Sequence, residues 1–123
     1  MRYHAPMPDD RKALAARTEA LAAEHLVAKG YRVRERNFRL RLGEVDLICE
    51  DGQTLVFVEV KARRGGRFGS AAEAVTPRKQ AKLLAIAEIY MASRPGRACR
   101  FDIVTVTLGA RAPVIEHLVD AFP

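Results

Sequence analysis

Asp46, Glu59 and Lys61 interrupt two runs that otherwise read as interior strands, Gly43-Glu44-Val45-Asp46-Leu47-Ile48 and Leu55-Val56-Phe57-Val58-Glu59-Val60-Lys61. Burying an unpaired carboxylate costs several kcal/mol, about what a marginally stable domain can lose, so such groups pair, bind metal or do chemistry. Side chains at i and i+2 of a strand share a face, which sets Glu59 beside Lys61. If the two runs pair through a turn at Glu50-Asp51-Gly52-Gln53, Asp46 and the Glu59–Lys61 pair lie toward matching strand ends.

Two carboxylates and a lysine gathered in this way suit metal-dependent phosphodiester hydrolysis. Mg²⁺ and Mn²⁺ prefer hard oxygen ligands, so Asp46 and Glu59 are the metal candidates and the Val60 backbone carbonyl can add a third oxygen. Lys61 can orient or deprotonate the attacking water and stabilise charge on the phosphate in the transition state. A cross-strand ion pair on a solvated face would use the same residue types. Against that reading, Val56, Val58 and Val60 alternate with Leu55 and Phe57, so both faces of this strand are apolar.

The elements that must position these groups follow from the rest of the chain. Pro8-Asp9-Asp10 precedes a helical pattern with Leu14, Thr18, Leu21, Ala22, His25 and Leu26 on one face; Asp9 or Asp10 can cap it and Gly30 closes it. Residues 1–8 read as a flexible tail. From Tyr31 to Leu42 arginines alternate with apolar residues, interrupted at Asn37, which predicts a strand with one basic face and a break or bulge. After the two acidic strands comes Arg63-Arg64-Gly65-Gly66-Arg67-Phe68-Gly69-Ser70, a basic glycine-rich loop expected to move when unliganded. Thr76-Pro77 opens a second helix with an apolar face at Leu83, Leu84, Ala87, Tyr90 and Met91. A fourth strand is predicted over Phe101–Thr107 and a fifth, at an edge, over Val114–Val119. The order α-β-β-β-α-β predicts one α/β domain, residues 1–123, with a mixed sheet flanked by helices.

The net charge of +6 points to a polyanion, nucleic acid first and an anionic membrane second. Its distribution matters more than its size. Arg32, Arg34, Arg36, Arg39 and Arg41 form one group, Lys61, Arg63, Arg64 and Arg67 a second, and Arg78, Lys79 and Lys82 a third. A composition that favours arginine over lysine throughout would explain part of this pattern. No apolar run approaches the roughly 20 residues of a membrane helix, and no signal-type stretch opens the chain, so a cytoplasmic protein is expected. Cys49 and Cys99 read as reduced core thiols. His4, His25 and His117 lack ligand spacing, and His25 reads as a core histidine. No nucleophile motif or phosphate-binding loop is present, and Tyr3, Tyr31 and Tyr90 are too dispersed to stack bases.

Gly43-Glu44-Val45-Asp46-Leu47-Ile48, Phe57-Val58-Glu59-Val60-Lys61-Ala62-Arg63, Phe68-Gly69 and Arg100-Phe101-Asp102 together resemble the YraN-like uncharacterised bacterial proteins. That family is similar to archaeal Holliday-junction resolvases of the PD-(D/E)xK superfamily. The resemblance runs from about Thr18 to Phe122 and implies a restriction-endonuclease-like αβββαβ core. It implies catalytic roles for Asp46, Glu59 and Lys61, with Asp46 and Glu59 binding Mg²⁺ or Mn²⁺. Glu19 matches the acid of a Gly-Glu pair in the first helix and is a candidate to complete the metal shell. Thr18 stands where that glycine is usual, so Glu19 is read equally as an exposed helix glutamate. Lys79 matches a basic position of the second helix and could touch phosphate or be solvated; Asp102 is read as structural, paired with a basic neighbour.

The expectation is therefore a metal-dependent endonuclease acting on DNA, with branched or structured DNA among its candidate substrates. Arg63, Arg64, Arg67, Lys79, Arg39 and Arg41 would hold the backbone. The rival expectation is a non-catalytic nucleic-acid-binding module that retains the nuclease fold. No membrane partner is expected; related resolvases are dimers, which makes a homodimer a candidate assembly, with the last strand a candidate surface.

Overall fold

In a computed structural model, residues 8–64, 75–109 and 111–122 are described. The elements are α1 (Pro8–Ala28), β1 (Arg32–Leu40), β2 (Gly43–Asp51), β3 (Thr54–Arg64), α2 (Pro77–Met91), β4 (Cys99–Leu108) and β5 (Val114–Phe122). The strands form one sheet in the order β1-β2-β3-β4-β5. All neighbours are antiparallel except β3 and β4, which run parallel because α2 crosses over between them. This is the mixed, helix-flanked α/β sheet expected.

Each face of the sheet carries one helix. Ala22, Ala23 and Leu26 of α1 pack on Leu47, Cys49, Val56, Val58, Val60, Val104 and Val106. Leu83, Ile86, Ala87 and Tyr90 of α2 pack on Val45, Ile48, Leu55, Phe57, Phe101, Ile103 and Phe122. Leu55 to Val60 is buried without interruption, as a central strand covered on both faces must be. Phe38 and Phe57 meet Tyr90 edge-on, and Phe57, Phe101 and Phe122 stack in sequence, which closes the α2 layer at the end away from Lys61.

Several local readings are corrected. The first helix begins at Pro8, so Asp9 and Asp10 lie inside its first turn rather than ahead of it. Of the expected tail only Pro8 is described, and it belongs to the helix. Gly30 does close α1: its φ is +97°, with N–H bonds from Gly30 to the Val27 carbonyl and from Tyr31 to the Leu26 carbonyl. Leu14 and Leu84 are exposed, and Ile86, absent from the expected apolar face, is fully buried. Cys49 is buried but Cys99 is exposed at the start of β4, so only one thiol belongs to the core. The strands β4 and β5 run longer than expected. The glycine-rich loop was expected from Arg63, but Arg63 and the Arg64 backbone belong to β3; the rest of it, including Arg67, lies outside the described residues, as does the Arg64 side chain.

The strand break near Asn37 takes a form the sequence did not specify. The register of β1 on β2 shifts between Val33 and Glu35, three residues ahead of the Asn37 whose φ is +52°. Beyond it, alternation in β2 also fails: Val45 packs under α2 whereas Leu47, two residues on, packs under α1. Between them sits Asp46, released from the two-residue rhythm of the strand.

Asp102, fully buried in β4, ties the far side of the sheet together. Its carboxylate accepts bonds from His117 Nε2 at 2.7 Å, the Asp120 N–H at 2.9 Å and Arg100 Nε at 3.1 Å. The structural role and basic partner expected for it are both present. Burial would raise this carboxyl, but the His117, Asp120 and Arg100 bonds outweigh it and hold the group below the ordinary carboxylate range. Its contribution to stability is therefore full above the ordinary carboxylate range and is lost as pH falls through the lowered value. Asp102→Asn should lower unfolding free energy by about 3 kcal/mol near neutral pH, because Arg100 is left with a weakened buried partner. Denaturant titrations should show that deficit shrinking as the wild type itself loses stability below about pH 4.

Candidate functional site

The regular β2–β3 ladder stops at Leu47 opposite Val58. Continued by one residue, that register would set Asp46 against Glu59; instead β2 turns away and the Asp46 side chain fills the gap. Its Oδ2 accepts the Val60 backbone N–H at 2.8 Å. A carboxylate thus accepts a β3 backbone N–H just past the end of the ladder, which ties Asp46 to the strand boundary.

Glu59 lies on the α2 face of β3, in line with Leu55 and Phe57, and is 3 % exposed. Its charge is met from two elements. Lys79 of α2 donates from Nζ to Glu59 Oε1 at 2.6 Å, and Lys61, two residues along β3, brings its Nζ to 3.9 Å from the same oxygen. Lys79 is held in position by the helix start: Thr76 caps α2 by accepting the Lys79 N–H, and Pro77 follows at the first helical position.

Asp46 and Lys79 line a cleft of about 500 Å³ together with Gly43, Glu44, Thr76, Arg78, Lys82 and Leu83; Glu59 and Lys61 are not part of that lining, and Glu59 connects to the cleft through its bond to Lys79. Its floor is acidic and its α2 wall carries three cations. Gly43 opens β2 with φ at +150°, a conformation that favours glycine, and lies under α2, where a Cβ would be at ordinary contact distance from Ile86 and the Lys82 stem. The third basic group of the sequence therefore faces Asp46. Arg39, mostly exposed, pairs with Glu44 at 3.5 Å, and Arg41 is exposed in the turn before Gly43, so both stand beside the cleft. Arg63 is half-buried on the face that carries Glu59 and Lys61. By contrast Arg34 turns to Glu50 at 3.2 Å, sharing it with Arg97 at 2.8 Å, near the β2–β3 turn. The arginines of β1 are thus divided between two ends of the sheet rather than forming one face.

The electrostatics of the floor are unbalanced. Burial first, and then the like charge of Glu59, push the Asp46 carboxyl up to about 7; the Val60 N–H and Lys79 oppose this, while Glu19 of α1 adds to it. Among the described residues no three His, Cys, Asp or Glu side chains converge into a ready-made cage. Glu19 is half-buried and is felt at Asp46 as a like charge rather than as a partner. The donor set nevertheless fits a hard divalent cation: two carboxylates face the same region, and one of them lacks the positive charge needed to keep it ionised at neutral pH.

Sequence reasoning brought Asp46, Glu59 and Lys61 together, and the structure places them so. It did not find the Lys79–Glu59 bond, whose partners are 20 residues apart. The usable signal was the Thr76-Pro77-Arg78-Lys79 helix start, with Lys82 one turn later on the same face. No helix among the described residues is long and apolar enough to cross a membrane.

The sequence profile of the uncharacterised protein family UPF0102 matches residues 18–106. A UPF0102 protein of Nitrosococcus oceani is 49% identical over 107 residues, covering 85% of this chain and 86% of its own. Another, from Anaeromyxobacter dehalogenans, is 46% identical over 116 residues, covering 93% and 87%. A third, from Symbiobacterium thermophilum, is 54% identical over 94 residues, covering 74% and 79%.

Because Asp46 is raised, the folded state holds its proton more tightly than the unfolded chain, so stability falls as pH rises between about 4 and 7. Asp46→Asn should remove that slope, at most about 1.4 kcal/mol per pH unit, and melt higher than the wild type at pH 8 in the presence of a chelator. Parallel thermal melts across that range would check it.

Proposed function

The chain belongs to the uncharacterised protein family UPF0102, and we propose that it is a metal-dependent endonuclease that hydrolyses phosphodiesters of DNA, branched or structured DNA included. The observation that carries this reading is Asp46 on the floor of a cleft whose α2 wall presents Arg78, Lys79 and Lys82, with buried Glu59 near enough to act on Asp46 and bonded to Lys79. An anionic floor inside a cationic wall suits a ligand that is polyanionic but must be brought against carboxylates. A phosphate backbone needs a divalent cation to make that approach favourable.

Asp46 and Glu59 would hold Mg²⁺ or Mn²⁺, with the Val60 carbonyl available on the same strand. The bound cation would polarise the phosphate and lower the pKa of water at the site. Lys61, whose side chain is about one-third exposed beside Glu59, can orient the attacking water or stabilise the charge that develops on the phosphoryl oxygens. Arg78 and Lys82 would bind flanking phosphates, while Arg39, Arg41 and Arg63 extend the positive surface beside the cleft and position the backbone without reading sequence. Glu19 would support the metal shell from α1. Arg64 and Arg67 are assigned to the same grip on the sequence alone.

With Mn²⁺ or Mg²⁺ the protein should cut at least one of four-way, flap, single-stranded and linear DNA. Asp46→Ala, Glu59→Ala and Lys61→Ala should each reduce cleavage about a hundredfold or more. Absence of any metal-dependent cleavage sensitive to these changes would overturn the enzymatic reading. The non-catalytic module would then remain, recognised by salt-steep DNA binding that Glu59→Ala leaves unchanged.

A further inference from the structure

Lys79 makes the closest ionic contact in the site. Its ammonium lies 2.6 Å from Glu59 Oε1, against 3.9 Å for Lys61, and its charge also acts on Asp46. It therefore sits directly on Glu59 and within electrostatic reach of Asp46, whose Oδ2 is taken by the Val60 N–H. Among the described residues Glu59 is the one hydrogen-bond partner of the side chain, which is 41 % exposed, and its backbone is fixed separately by the Thr76 cap. A long, flexible stem can leave Glu59 by rotation alone, and the cleft beside it is open and already bounded by Arg78 and Lys82.

We propose that Lys79 is the resident counter-ion of the metal-free centre and that a divalent cation displaces it from Glu59 into the cleft, where it becomes an additional phosphate ligand. This rests on the metal-centre reading of Asp46 and Glu59. The exchange follows from charge density. A carboxylate that is 3 % exposed cannot stand uncompensated, so one cation must be present before metal arrives. A divalent ion between two carboxylates replaces it more effectively than a monovalent ammonium can. Metal binding then does two things at once: it neutralises the floor and adds a free cation to the wall. The affinities for metal and for a phosphate backbone are thereby coupled, each raising the other.

Isothermal titration of Mn²⁺ alone into the wild type, Lys79→Met and Lys82→Met tests this. Loss of the competing ammonium should tighten Mn²⁺ binding of Lys79→Met roughly tenfold. Lys82→Met removes the same charge without touching Glu59 and should change affinity less than about threefold. A second measurement needs no variant. Amine acetylation of the wild type, read by peptide mass spectrometry, should show Lys79 becoming more reactive on Mn²⁺ addition while Lys82 does not. Equal Mn²⁺ affinity in Lys79→Met and wild type, or Lys79 reactivity unmoved by bound Mn²⁺, overturns the displacement and leaves the metal centre standing. A wild type that binds no Mn²⁺ overturns both.

Discussion

The central constraint on this molecule is that β3 must be both the middle of the core and the carrier of an ionised group. Its residues from Leu55 to Val60 are covered on both faces, yet Glu59 sits among them at 3 % exposure. A lone carboxylate there would cost more than a small domain can spare. The fold meets the constraint by bringing the first turn of α2 over that point and supplying Lys79. The crossover between β3 and β4, the Thr76 cap and the close start of β2 at Gly43 all place the helix over this strand end.

The second carboxylate is handled differently. Asp46 departs from the strand register and its carboxylate accepts the Val60 N–H. One acid is thus held by a cation and the other by a peptide group. Burial, and then the like charge of Glu59, leave Asp46 close to titration at neutral pH in spite of that peptide hydrogen bond, while Glu59 is paired with Lys79. A pair of carboxylates kept in unequal environments retains room for a further positive charge, which a fully neutralised pair would not.

Much of this architecture was legible because local and global signals agree. Gly30 after a helical pattern, Thr76-Pro77 before another, and Asp51-Gly52 between two apolar runs each mark a boundary that the structure contains. Charges inside Leu55 to Lys61 marked the site, since no solvated strand needs apolar residues on both faces. What escaped was non-local. The shift at Arg34, the loss of alternation at Asp46 and the split of the β1 arginines between Glu50 and Glu44 depend on where β2 must turn, which no window of sequence states. Ile86 is a different case: Leu83, Ile86, Ala87 and Tyr90 follow the regular i, i+3, i+4, i+7 spacing of one helix face, so its burial was legible and Leu84 was the misplaced member.

The His117 ring has a consequence for how the protein comes apart. Its Nε2 faces Asp102 in β4, its Nδ1 faces Lys29 just past α1, and Tyr31 packs edge-on against it. An edge strand is ordinarily among the first segments to fray. Here the loss of β5 would strip partners from a buried aspartate and from the stop of the first helix in one event. β5 and the stop of α1 are thereby coupled, and opening at either is resisted by contacts at both.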